Sequence, residues 1–123
     1  MIIRKITVNN NEYQFINSSR NTRTGFAHDT TLFINGRKYS KATAIYYNRT
    51  WECYTYQTVM QRCVNDILAE KQKDFVADYK AKNNIKRLTA EKRAEAGRDF
   101  EALETTKELK KVYQALELNE YGY

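Results

Sequence analysis

The sequence contains no proline, only four glycines, two cysteines and one histidine among its 123 residues. Without proline, none of its helices is kinked by sequence. No window approaches the roughly 18 apolar residues that a membrane-spanning helix needs, and the start MIIRKITV is too short and too charged for a signal peptide. We therefore expect a complete cytoplasmic protein that makes no membrane contact and folds as one domain with a modest core.

The few cysteines and the single histidine also limit the chemistry. Cys53 and Cys63 lie ten residues apart in one predicted helix, where they point about 80° apart and sit about 15 Å apart along the axis, so they cannot form a disulfide with each other. One histidine and two unclustered thiols give no zinc spacing. The composition predicts buried free thiols in a reducing compartment and no bound metal.

Sequence motifs of catalysis are lacking as well. The chain has no Gly-rich phosphate loop, no HExxH, no paired carboxylates in an apolar setting, and no Ser or Cys nucleophile with an evident histidine partner. His28 is predicted to be an inert loop residue, and Asp66, Glu70, Asp74 and Asp78 are predicted to form a solvated helix face. We expect a protein that is not an enzyme and needs no cofactor.

The first half has the pattern of antiparallel strands. Residues 2–8 and 12–17 alternate with period two, and Asn9-Asn10-Asn11 between them predicts a turn because Asn tolerates left-handed backbone angles. The polar segment 18–30 predicts a loop longer than most hairpins use. Asn35-Gly36 is a strong hairpin signal, which makes residues 37–47 the returning strand.

From about Tyr54 the apolar spacing becomes helical. A long helix is predicted to end at Lys82, Thr89 is predicted to cap a second helix, and Thr105-Thr106-Lys107-Glu108 is predicted as a capping box that opens a third. The fold class is therefore α+β: an N-terminal four-stranded antiparallel sheet packed on a long helix, followed by a C-terminal helical hairpin or arm. Residues 1–87 are predicted as the core and residues 88–123 as a charged arm, either folded back on the core or used to dock on a partner.

The formal net charge is +6, and it is unevenly distributed. Residues 1–52 carry +5, residues 53–87 carry +3 and residues 88–123 carry −2. Positive charge at the front and middle of the chain favours an anionic partner.

The segment YYNRTWECYTYQ, residues 46–57, places four tyrosines and the only tryptophan around an Arg-Thr step. Trp51 is predicted to be a wedge between sheet and helix, with its indole N–H on one partner. On a strand of residues 37–47, alternation places Lys38, Ser40 and Tyr46 on one face, with Arg37 and Lys41 on the other.

If one sheet face is open, these cations and rings form the combination that binds a nucleic-acid backbone and stacks bases. A solvated sheet face with no ligand is the alternative. The candidate binding residues, including two from the predicted loop, are Arg20, Arg23, Arg37, Lys38, Lys41, Tyr46, Arg49 and Trp51.

The run Tyr47-Asn48-Arg49-Thr50-Trp51-Glu52-Cys53-Tyr54-Thr55-Tyr56-Gln57, which closes a basic hairpin and opens a helix, resembles a pattern in small proteins of phages and mobile elements of low-GC Gram-positive bacteria. The resemblance covers about fifteen residues. It implies an accessory protein that binds host machinery, and anti-CRISPR proteins are one such class. This chain differs from acidic DNA-mimic inhibitors because it is basic.

The leading hypothesis is a non-enzymatic protein that inhibits a host defence nucleoprotein, in particular a CRISPR–Cas effector. Its basic front half would face nucleic acid or an acidic channel wall, and its C-terminal helices would dimerise or dock on protein. A basic nucleic-acid-binding module for phage replication or transcription is the second hypothesis, and a structural or assembly protein is the third.

Overall fold

The computed structural model describes residues 2–47 and 56–117. Four strands come first, β1 (Ile2–Val8), β2 (Asn11–Asn21), β3 (Gly25–Ile34) and β4 (Arg37–Tyr47), and they form one antiparallel sheet in the order β1-β2-β3-β4. Three helices follow: α1 (Tyr56–Lys82), α2 (Ala90–Glu101) and α3 (Glu104–Glu117). The predicted α+β class, with four strands before the helices, is confirmed.

Two of the hairpin turns depend on left-handed backbone. Asn9 and Asn10 have φ of 51° and 65°, and Asn35 and Gly36 have φ of 51° and 82°. Two consecutive positive φ values define the type I′ turn, whose twist matches that of the strands it joins. Both turn predictions are confirmed.

The long loop predicted at residues 18–30 is wrong. Ser18 pairs with Asp29 and Arg20 with Ala27 in the β2–β3 ladder, and the chain reverses in a short turn in which the N–H of Thr22 donates to the carbonyl of Gly25 at 2.9 Å. The segment is polar because its side chains bond across the two strands, and composition alone does not separate this from a loop.

The core lies between one face of the sheet and two helices. Tyr13, Phe15 and Leu32 from that face are at most 2% exposed, and they pack with residues of α1 and α3 that are equally buried: Val59, Met60, Cys63, Val64, Leu109, Val112 and Leu116. Each such side chain contributes about 1.5–3 kcal/mol of transfer free energy. The core therefore includes α3, which closes over β1 and α1.

A buried polar pair crosses this core. The Thr30 hydroxyl donates to Asn17 Oδ1 at 2.6 Å, and both residues are fully buried.

Cys63 of α1 lies in the same core. It is fully buried and forms no disulfide. Burial raises its pKa to about 11. The predicted buried free thiol is confirmed for Cys63. Cys53 lies outside the described residues.

The helix ends follow the sequence in two places and depart from it in one. α1 ends at Lys82, and the Thr89 hydroxyl accepts from the N–H of Lys92 at 3.2 Å, both as predicted. The predicted capping box is wrong, because α3 already begins at Glu104 and the Glu108 side chain bonds to the sheet instead.

Within residues 2–47 and 56–117, no helix is long and apolar enough to cross a membrane.

Candidate nucleic-acid interface

The second face of the sheet carries no helix in the described part of the chain. α1 and α3 pack on the face of Tyr13, Phe15 and Leu32, and the side chains on the opposite face are mostly accessible. We call this opposite face the open sheet surface. Its residues are Ile3, Lys5, Thr7, Glu12, Gln14, Ile16, Ser18, Arg20, Ala27, Asp29, Thr31, Phe33, Lys38, Lys41, Thr43 and Ile45. Lys5 and Glu12 form an ion pair at 4.0 Å on this face.

A β-bulge decides which cations reach this surface. Leu32 pairs with Ser40, whereas Phe33 pairs with Lys38, so Tyr39 is the extra residue on β4. The extra residue shifts the alternation, because side-chain direction has a period of two. Lys38 therefore shares the open sheet surface with Lys41, while Ser40 shares the face of the buried Leu32. The prediction that Lys38 lies with Ser40 and opposite Lys41 is wrong for this reason.

Phe33 gives the open sheet surface an aromatic centre. It lies in one cross-strand row between Gln14 on β2 and Lys38 on β4, with Lys5 of β1 at the end of the row. Neighbouring strands are about 4.8 Å apart, so Lys38 is an immediate neighbour of the ring, which is partly accessible. Sequence reasoning overlooked Phe33. Tracing the alternation backwards from the Asn35-Gly36 turn would have placed it opposite Leu32.

Two apolar side chains remain exposed on the same surface. Ile3 is 49% exposed and Ile45 is 47% exposed. Ile3 lies in the row that continues through Ile16 and Thr31 to Lys41. The open sheet surface thus combines apolar and aromatic groups with lysines at one side, which suits a ligand with both flat apolar and anionic parts.

Arg20 also lies on this surface, but its charge is neutralised within the chain. Its Nε donates to Asp29 Oδ2 at 2.9 Å, and the Thr43 hydroxyl donates to Asp29 Oδ1 at 2.7 Å. Burial alone would raise the pKa of Asp29, but the hydrogen bonds from Thr43 and Arg20, together with the positive charges of Arg20 and Lys41, outweigh it and hold that pKa below its usual range. Lys38 and Lys41, by contrast, form no ion pair within the described residues.

The remaining predicted arginines lie at opposite ends of the sheet. Arg23 is exposed in the β2–β3 turn, and Arg37 begins β4 with its guanidinium 5.8 Å from the centre of the Tyr39 ring. The ten residues of β3 separate these two ends, a distance of about 30 Å at strand rise. One compact ligand cannot contact both.

Three predicted residues cannot be placed. Arg49 and Trp51 lie outside the described residues. Tyr46 is paired with Phe26 in the β3–β4 ladder, and its side chain is also outside what the structure describes. Of the eight predicted residues, the open sheet surface brings together Arg20, Lys38 and Lys41.

The structure also joins Ser19 and His28, a pair that sequence reasoning missed. They are partners across β2 and β3, with Ser19 Oγ 2.6 Å from His28 Nδ1 and the Phe26 ring edge-on to the imidazole at 5.5 Å. Burial lowers the pKa of His28, and the Asp29 carboxylate opposes this shift. A serine and a histidine are two parts of a hydrolase site, which also needs donors for an oxyanion. That the chain is not an enzyme stays a prediction.

A small polar cleft lies between the sheet and α3. Its volume is about 210 Å³, and Asn11, Tyr13, Tyr39, Lys71 and Glu108 contribute to its lining. The Glu108 carboxylate accepts from the Tyr13 hydroxyl and from Asn11 Nδ2 at 2.8 Å. Since these bonds tie α3 to β2, the polar side chains of the cleft are explained by their role in holding the fold together.

No group of three His, Cys, Asp or Glu side chains within residues 2–47 and 56–117 could hold a metal ion. In comparisons with known proteins, no protein-family model, curated protein or solved structure matches the chain.

Proposed function

We propose that the chain is a binding protein whose open sheet surface contacts single-stranded nucleic acid, free or within a nucleoprotein. The observation that carries this proposal is the row in which Phe33 and Lys38 are immediate neighbours, next to Lys41 on the same uncovered face. A ring beside two lysines that form no ion pair in the described part of the chain can stack on a base while the ammonium groups contact the adjoining phosphates.

The aromatic and apolar side chains of the surface favour single strands over duplexes. Base stacking on a protein ring requires a base that is unpaired and splayed out, and each such contact is worth about 1–3 kcal/mol. The exposed Ile3 lies at the β1 end of the row that contains Lys41, and the exposed Ile45 lies beyond that row on β4, so both extend the platform. A duplex would present its phosphates to this surface but leave Phe33 and the isoleucines without partners.

The biological setting follows from the phage and anti-CRISPR resemblance alone. We propose inhibition of a CRISPR–Cas effector, in which the open sheet surface would contact the guide RNA or a displaced DNA strand. A module that acts in phage replication or transcription would use the same surface, and inhibition of cleavage separates the two. Self-association or protein docking through the C-terminal helices stays a further prediction.

The binding test is a fluorescence-anisotropy titration with single-stranded DNA and RNA between about 50 and 200 mM salt. The Lys38→Glu/Lys41→Glu variant should bind at least about tenfold more weakly, and its salt slope should fall by about 1.4, because each phosphate contact on a single strand contributes about 0.7. The same variant should lose inhibition of a susceptible Cas nuclease if that setting is correct.

The matched control is Lys107→Glu/Lys111→Glu, which makes the same charge change on exposed positions of α3. This control should retain nearly the affinity of the parent protein. If the two variants lose affinity equally, the loss is caused by the change in net charge and the proposed site is overturned.

A further inference from the structure

The segment with the densest positive charge contains none of the residues that sequence reasoning selected. Residues 80–93, which we call the basic tip, join the end of α1 to the start of α2. They contain six cations and one acid, Glu91, so they carry +5 of the total +6. The cations are Lys80, Lys82, Lys86, Arg87, Lys92 and Arg93.

The backbone of the basic tip is fixed at both helix ends. Asn84 adopts φ of 51°, the N–H of Ile85 donates to the carbonyl of Lys80 at 2.9 Å, and the N–H of Asn84 faces the carbonyl of Ala81 at 3.4 Å. These are the two bonds of a Schellman motif, which terminates a helix in one defined geometry. The Thr89 cap then starts α2. The cations are therefore presented on an ordered helical hairpin.

Folding accounts for only part of this charge. Lys80 and Lys82 lie in the last turn of α1, where cations interact favourably with the negative end of the helix dipole. Lys92 and Arg93 lie in the first turn of α2, at the positive end, where the dipole opposes them. Apart from the Lys92–Glu95 pair at 3.5 Å, the six cations form no ion pair with any residue of 2–47 or 56–117. Charge retained in an unfavourable position points to an external anion.

The chemistry of the basic tip selects the kind of anion. Residues 80–93 contain no aromatic ring, so they offer no ring on which an unpaired base could stack, and their concentrated charge suits contacts to the anionic backbone. A duplex offers about one phosphate charge per 1.7 Å of its axis, and its major groove is wide enough to admit a helix. Cations that are mostly exposed at the connected ends of two helices match this dense and regular array better than they match a single strand.

We propose that the basic tip binds the phosphate backbone of double-stranded nucleic acid. This site is separate from the open sheet surface and does not depend on the function proposed for it. The expected mode is independent of base sequence, because the proposed contacts are to phosphates, which carry no direct sequence information.

The test is titration of duplex DNA and duplex RNA with Lys86→Glu/Arg87→Glu between about 50 and 200 mM salt. Both positions are exposed in the connection between the helices, and circular dichroism would verify the fold. Loss of two phosphate contacts should reduce the salt slope on duplex DNA by about 1.8 and the affinity at low salt at least tenfold. Equal effects on the two duplexes would assign the site to the shared backbone, and a DNA-only effect would narrow it to DNA.

The Lys107→Glu/Lys111→Glu control should leave the duplex affinity and slope unchanged. The proposal is overturned if the tip variant behaves like this control, or if the parent protein binds phosphatidylserine vesicles and no duplex. Measuring Lys38→Glu/Lys41→Glu on single strands in parallel keeps the two proposals distinct. A tip variant that loses duplex binding supports the basic tip even when the sheet variant still binds single strands.

Discussion

Arg20 and Asp29 form the closest ion pair on the open sheet surface, with 2.9 Å between Nε and Oδ2. The carboxylate, on β3, also accepts from Thr43 of β4, so these two partners lie on the two strands that flank its own. The pair neutralises a cation that sequence reasoning assigned to ligand binding. On this surface, Lys38 and Lys41 therefore carry the charge that is available to an anion.

Asp29→Asn should strengthen single-strand binding. The substitution removes one negative charge and releases the Arg20 guanidinium, which then offers one further phosphate contact. The salt slope should steepen by about 0.7. Glu104→Gln on α3 makes the same charge change away from the surface and serves as control, and a weaker Asp29→Asn complex would contradict the assignment.

A second comparison uses alanine variants of the parent protein. Arg20→Ala should weaken single-strand binding less than Lys38→Ala does.

Phe33→Leu should weaken single-strand binding and leave duplex binding by the basic tip intact. Leucine keeps an apolar side chain in a partly buried position but removes the ring on which a base stacks, and such stacking contributes about 1–3 kcal/mol. Thermal unfolding should confirm that the variant is folded. If Phe33→Leu binds single strands like the parent, the ring is only a packing element of the sheet.

The sequence was sufficient for the fold where local chemistry determines structure. Asn9-Asn10 and Asn35-Gly36 predicted their turns, Thr89 predicted its cap, and the change of apolar period separated sheet from helices. It was insufficient where tertiary pairing decides. Arg20 bonds to Asp29 and Glu108 bonds to Tyr13, and neither partnership is visible in local spacing.

The candidate site was only partly predictable for the same reason. The bulge at Tyr39 reverses the faces of the residues that precede it on β4, and nothing in RKYSKATAIYY signals an extra residue. The basic tip was open to detection, because six cations stand within 14 residues. When the net charge is counted separately for residues 53–87 and 88–123, Lys92 and Arg93 fall in a different segment from the other four cations, and the cluster is not seen.

Two glycines provide a matched pair for the stability of the backbone. Gly36 has φ of +82°, and an added Cβ would meet no atom within 4 Å, so Gly36→Ala suffers only the left-handed backbone cost of about 1–2 kcal/mol. Gly97 lies within α2 with equal space around an added Cβ, so Gly97→Ala should stabilise by about 1 kcal/mol. Urea unfolding should show a lower free energy of unfolding for Gly36→Ala and a higher one for Gly97→Ala. A stabilised Gly36→Ala would contradict the type I′ turn.

The bond from Tyr13 to Glu108 should make stability fall in alkaline solution. Burial, then the hydrogen bond to Glu108 and the charge of that carboxylate, raise the Tyr13 pKa above its ordinary value of 10.0. Above pH 10 the unfolded chain therefore releases a proton that the folded protein retains. The stabilisation is complete below that pH and declines as pH rises, by up to about 1.4 kcal/mol per unit.

Tyr13→Phe separates this effect from the ionisation of the other tyrosines. The variant removes one donor to Glu108, so the free energy of unfolding at neutral pH should fall by about 1.5–3 kcal/mol, the range for hydrogen bonds to charged groups. Its stability should then decline less steeply than that of the parent above pH 10. Parallel curves for the two proteins in urea unfolding would show that the Tyr13 proton is not linked to folding.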